Sequence, residues 1–98
     1  MKLWIDDVRE APEGYTWCAT VNQARFAIIY EDEDNPIELI DIDHDAGSYA
    51  QYGGDYIKLL DWLEETGKSY PIRIHSMNPV GVENMRRIIQ RNGWTEVR

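Results

Sequence analysis

Beyond about residue 15, short apolar runs rich in β-formers alternate with helical stretches, and that alternation limits the fold more than any other feature. Strands that each return through a helix lie parallel in one sheet with right-handed crossovers. The runs at residues 2–5, 16–19, 37–42, 71–75 and 94–97 read as strands from their β-branched and aromatic content. Residues 37–42 are apolar apart from Glu38 and Asp41, the pattern of a strand covered on both faces, and are expected at the sheet centre.

Three helices fill the intervals. Thr20 followed by Gln23 has capping-box spacing, and Val21, Ala24, Ala27 and Ile28 give that helix its apolar stripe. Asp55 is placed to cap a second helix carrying Tyr56, Leu59, Leu60 and Leu63, with Gly67 as its stop. Asn78 as N-cap and Pro79 at the first helical position open a third, with Val82, Met85, Ile88 and Ile89 on one side and Gly93 at its end. Residues 8–15, with Pro12 and Gly14, predict a loop rather than a helix. The expected fold is a small flavodoxin-like α/β three-layer sandwich: a five-stranded parallel sheet of order 2-1-3-4-5 with three helices. Ninety-eight residues suit one domain, taken as residues 1–98.

Eighteen acidic against ten basic residues give a formal charge of −8, which removes the counterion-release term that nucleic-acid binding depends on. Bulk charge thus argues against a nucleic-acid polymer as partner. Arg86, Arg87 and Arg91 fall towards the end of the third helix, where cations suit its dipole. The acidic turn at 31–36 lacks the alternating ligands and glycine of a calcium loop and reads as a solvated connector. One cysteine, Cys18 in an apolar run, fits a buried strand position and a reducing compartment. With no apolar stretch of membrane length and no signal-peptide pattern, a cytoplasmic location without membrane association is expected.

Asp6-Asp7, Asp43-His44-Asp45 and His75-Ser76-Met77-Asn78 each close a predicted strand. In an open parallel sheet the carboxyl ends of neighbouring strands converge on one crevice, so these strings meet in space. Gathered carboxylates repel one another unless a hard cation or a shared proton compensates. Asp6, Asp7 and Asp43 suit Mg²⁺ or Mn²⁺, with one of the consecutive pair ligating while the other orients. His44 and His75, next to those carboxylates, suit proton transfer. Ser76 and Asn78 precede a helix start whose free N–H groups make an anion site. Asp41 and Arg73 lie inside the central strands, where each needs a partner; they are expected to pair or to support the site, with Arg73 also able to reach a phosphate.

With strands ending in Asp6-Asp7, Asp43 and Ser76, the chain resembles the receiver domain of two-component signalling. That resemblance implies a Mg²⁺-binding acidic pair, a phospho-accepting Asp43 and a phosphoryl-holding Ser76. It is partial: the fifth strand ends in Glu96-Val97-Arg98 without the receiver lysine, and the helix between the first two strands is missing. The strings Trp4-Ile5-Asp6-Asp7-Val8-Arg9, Asp43-His44-Asp45 and Ile72-Arg73-Ile74-His75-Ser76-Met77-Asn78-Pro79-Val80-Gly81 resemble more closely the cyclic-phosphate processing receiver domains, over almost the whole chain.

Membership of that receiver-like family implies metal-dependent processing of cyclic phosphates or related phosphoesters. The expected catalytic set is Asp43, His44 and His75, with the metal on Asp6, Asp7 and Asp43. Ser76, Asn78 and Arg73 would hold the phosphate, Asp45 would orient His44 or a metal-bound water, and Asp41 would support. The expected partner is a small phosphorylated ligand or nucleotide. Two other classes fit the same residues: a non-catalytic phospho-accepting or nucleotide-sequestering module, and an acidic interaction protein with a vestigial crevice.

Overall fold

The structure, a computed structural model, describes residues 1–98. In chain order it contains β1 (Lys2–Ile5), β2 (Tyr15–Cys18), α1 (Val21–Tyr30), β3 (Leu39–Ile42), a 3₁₀ helix (Gly47–Gln51), α2 (Ile57–Thr66), β4 (Ile72–Ile74), α3 (Pro79–Asn92) and β5 (Glu96–Val97). All neighbouring strands pair in parallel, in the order β2-β1-β3-β4-β5. The flavodoxin-like α/β topology is therefore the expected one.

Every connection after β2 is a crossover that advances in the same direction across the sheet, so right-handedness puts α1, α2 and α3 on one face. Leu3, Ile5, Cys18, Ile40, Ile42 and Ile72 project to that face and join the inward residues of all three helices in a single buried cluster. Leu59, Leu60 and Leu63 are fully buried there, each worth about 2 kcal/mol of transfer free energy.

The other face carries the opposite parity. A row of directly paired residues, Trp17, Trp4, Asp41, Arg73 and Val97, runs across all five strands. No helix covers it, because Pro12 and Gly14 (φ +87°) keep the β1–β2 connection a loop. The loop itself makes the third layer. Trp4 Nε1 donates to the Arg9 carbonyl at 3.0 Å, Trp17 Nε1 donates to the Asp6 carbonyl at 2.7 Å, and Trp4 meets Tyr15 edge-on.

Caps behave locally. Thr20 and Gln23 form the capping box, Asn78 accepts from Gly81 N–H, and Gly67 and Gly93 close their helices in the left-handed conformation. Other expectations need correction. Asp55 does not cap α2; its Oδ1 accepts from Ala46 N–H at 3.0 Å, tying down the start of the 3₁₀ segment. β3 is shorter than residues 37–42, since Ile37 N–H is drawn to Asp32 Oδ1 and Glu38 N–H to the Met1 carbonyl. The second strand starts at Tyr15, β4 is trimmed at both ends, and β5 begins only at Glu96, because Trp94 N–H closes α3 onto Ile89. Val82 is only half-buried, and Gly81 takes the inward place on that turn. Arg86 and Arg87 pair with Glu96 and Glu83, and Arg91, in the last turn of α3, pairs with Glu64. No helix is long and apolar enough to cross a membrane.

Candidate active site

Asp6 and Asp7 leave β1 as the chain turns, and Asp43 leaves β3 beside them. One carboxylate oxygen from each lies within 4.8 Å of the others. The donor set is all oxygen and triply anionic, which fits a hard divalent cation and offers nothing to a soft one. The consecutive pair divides its work. Asp6 is 1% exposed and turned inward, its Oδ1 accepting from the Val8 and Arg9 N–H groups at 2.9 and 3.1 Å. Burial acts to raise the Asp6 carboxyl, but those two N–H groups and the His75 ring outweigh it and hold its pKa below the usual carboxylate value.

Asp7 lies against Gly47, where a Cβ would stand 2.6 Å from its Oδ2; Gly47 also has φ +55°, so both space and backbone favour glycine. Burial raises the Asp7 pKa; its own backbone N–H works against this, and the charges of Asp6 and Asp43 add to it. Like-charge crowding of this kind is what a bound cation relieves.

The two histidines differ sharply. The His75 side chain is only 6% exposed, with Nε2 2.9 Å from Asp6 Oδ2 and Nδ1 2.7 Å from Asp41 Oδ1. Its ring stacks on Trp4 at 3.9 Å between centroids, 3° from parallel. Asp41 gives its other oxygen to Arg73 Nη1 at 3.0 Å. Arg73, Asp41, His75 and Asp6 thus form one chain of charged and polar contacts from the loop-covered face of the sheet to the carboxylate cluster. The pairing of Asp41 with Arg73 is as expected, and it commits the arginine expected to reach phosphate to a structural partner.

His44 lies at the surface of the crevice. Its Nδ1 is 2.9 Å from Asp45 Oδ1, and no protein group partners Nε2. The ring rests on the first turn of α3: a Cβ on Gly81 would run into His44 Cγ and stand 2.6 Å from Cδ2. Asp45 also receives Asn78 Nδ2 at 3.5 Å. The segment after β3 is therefore joined to the start of α3.

That helix start is poorer in free donors than the sequence implies. Pro79 has no N–H, Asn78 Oδ1 takes the Gly81 N–H, and the Asn78 carbonyl takes that of Val82. Only Val80 N–H is left in the first turn. Asn78 is spent on capping and on Asp45. Ser76 Oγ accepts from Asn78 N–H at 3.1 Å, which leaves its hydroxyl hydrogen free to donate. A groove of about 560 Å³ lined by Ser76, Met77, Pro79, Val82, Glu83 and Arg86 opens alongside.

With the carboxylates of β1 and β3 and the Ser76 turn of β4 on one edge of a 2-1-3-4-5 sheet, the comparison with known families is decisive: the model of the cyclic-phosphate processing receiver domain matches residues 1–91. The chain belongs to that family. No curated protein and no solved structure shows significant similarity to it. Within this receiver-like domain, sequence reasoning passed over Trp4, Gly47, Gly81 and Arg9. Gly81 had a signal in the Asn-Pro-x-Gly string, but nothing local shows that its missing side chain makes room for His44.

Proposed function

We propose that the domain is a metal-dependent phosphoesterase acting on cyclic phosphates or a small nucleotide. The observation that supports it best is the meeting of Asp6, Asp7 and Asp43 within 4.8 Å at the edge where Ser76 and the start of α3 lie. Mg²⁺ or Mn²⁺ bound there would polarise the phosphate and lower the pKa of a bound water.

The chain's own residues take the other roles. The Ser76 hydroxyl and Val80 N–H hold phosphate oxygens, and the groove beside Ser76 receives the remainder of the ester. His44 carries the proton at Nε2, the nitrogen without a protein partner, while Asp45 fixes its ring through Nδ1. His75 has both nitrogens on carboxylates, so it is a positioning residue for Asp6 rather than a proton carrier. Asp41 and Arg73 complete that support. The buried lone Cys18, its thiol pushed up to about 11 by burial and then by Glu31, is inert and suits a cytoplasmic, reducing setting.

The test is calorimetric titration of Mg²⁺ and Mn²⁺ into wild type and Asp43→Asn, with 2′,3′-cyclic nucleotides then added to the same samples. Metal binding lost in the variant, with ring opening by the wild type, is the expected result. Metal binding without turnover would make the domain a binding module. No metal binding would sink the proposal.

A further inference from the structure

The seven arginines divide by partner. Arg73, Arg86, Arg87, Arg91 and Arg98 are each paired with a carboxylate, and Arg25 lies over the Trp62 ring at 5.1 Å. Arg9 is the remaining one. Its only side-chain bond is from Nη1 to the His75 carbonyl at 3.2 Å, which places the guanidinium beside Ser76 at the carboxyl end of β4.

Its backbone is anchored as well. The N–H donates to Asp6 Oδ1 and the carbonyl accepts from Trp4 Nε1. A long, flexible cation held in this way has given up much of its freedom before any ligand arrives, which lowers the ordering cost of binding. Four of its five N–H donors stay unused, in the planar fork that suits phosphate oxygens.

Besides Arg9, the groups that hold phosphate oxygens in the crevice, the Ser76 hydroxyl and the Val80 N–H, are neutral. The first turn of α3 offers one free N–H, Asn78 is engaged, and Arg73 is held by Asp41. Asp6, Asp7, Asp43 and Asp45 together outweigh the charge of one divalent cation, so an entering phosphate meets a negative field.

We infer that Arg9 is the phosphate-clamping residue of the crevice, the group that holds the anionic part of a phosphoester against the carboxylate cluster. This rests on the phosphoester reading above. The experiment is titration of inorganic phosphate into Mg²⁺-loaded wild type and Arg9→Gln, followed by calorimetry. In parallel, the Arg9 Nε–H signal of ¹⁵N-labelled wild type is followed by NMR.

Loss of one or two charge-assisted hydrogen bonds should weaken phosphate binding by at least about tenfold in Arg9→Gln, with Mg²⁺ affinity unchanged. Phosphate binding as tight as in wild type would overturn the inference. Should Arg9→Gln fail to fold, the wild-type signal decides: a shift on adding phosphate supports the clamp, and an unmoved signal overturns it. A wild type that binds no Mg²⁺ overturns the functional reading, yet a phosphate-dependent shift of Arg9 Nε–H would still support the clamp.

Discussion

Replacing His75 by alanine should cost far more stability than replacing His44, because the two rings satisfy very different carboxylates. His75 links Asp6 and Asp41, whose side chains are 1% and 0% exposed. A hydrogen bond to a charged group is worth about 1.5–3 kcal/mol, and removing one partner of a buried ion pair costs roughly 3–5 kcal/mol. The parallel stack on Trp4 adds about 0.5–1.5 kcal/mol. Asp6 keeps its two backbone N–H donors and Asp41 keeps Arg73, which limits the damage. The expected loss is about 4 kcal/mol, a large part of the ~5–15 kcal/mol that a domain this size has to spare. His44 loses one bond to Asp45, which is 60% exposed, so about 1 kcal/mol is expected there. Urea unfolding followed by tryptophan fluorescence measures both. With an m-value of about 2 kcal/mol/M, the His75→Ala midpoint should fall by roughly 2 M and that of His44→Ala by roughly 0.5 M. Equal losses in the two variants, or a His75→Ala loss of about 1 kcal/mol or less, would refute the buried relay as described.

Gly81→Ala gains about 1 kcal/mol of helix propensity but puts a Cβ into the His44 ring; stability should stay within about 1 kcal/mol of wild type while turnover drops about 100-fold. Unchanged turnover in a variant whose His44 NMR signals have moved would remove His44 from catalysis. Gly47→Ala combines strain at φ +55° with a Cβ 2.6 Å from Asp7 Oδ2, so calorimetry should show weaker Mg²⁺ binding and denaturation a loss of about 1 kcal/mol. Asp32 is held below the usual carboxylate value by the Ile37 N–H and the Tyr70 hydroxyl, against a smaller opposing effect of burial. Its contribution is complete above the unfolded value of about 3.9 and is lost as pH falls through the lower folded value. Asp32→Asn should therefore flatten the fall of stability below about pH 4, and an unchanged pH profile would show that Asp32 does not matter to acid unfolding.

Much of the site could be read from the sequence because strand ends in a parallel sheet converge wherever the strands happen to start or stop. Asp6, Asp7 and Asp43 needed only the order 2-1-3-4-5, and that order needed only the alternation of strands and helices. Caps were equally accessible: Thr20 with Gln23, Asn78 before Pro79, and Gly67 and Gly93 act within one turn of their own positions.

What local rules could not supply is the choice of partner over long distances. His75 meets Asp41 and Asp6 across 34 and 69 residues of chain, a choice made by the register that sets Trp4, Asp41 and Arg73 side by side. Alternation indicates that Asp41 and Arg73 share a face, but only the packed sheet decides which imidazole is buried there and which stays open to the crevice. Asp55 was likewise diverted from its helix to Ala46 N–H, and Arg9 was carried to the His75 carbonyl by a loop whose path no periodicity encodes. The sequence alone determined the layers and the carboxylate edge, since periodicity and capping are short-range. The division of labour among the charged groups was settled by tertiary structure, since each buried charge must find its counterpart wherever register and loop path place one.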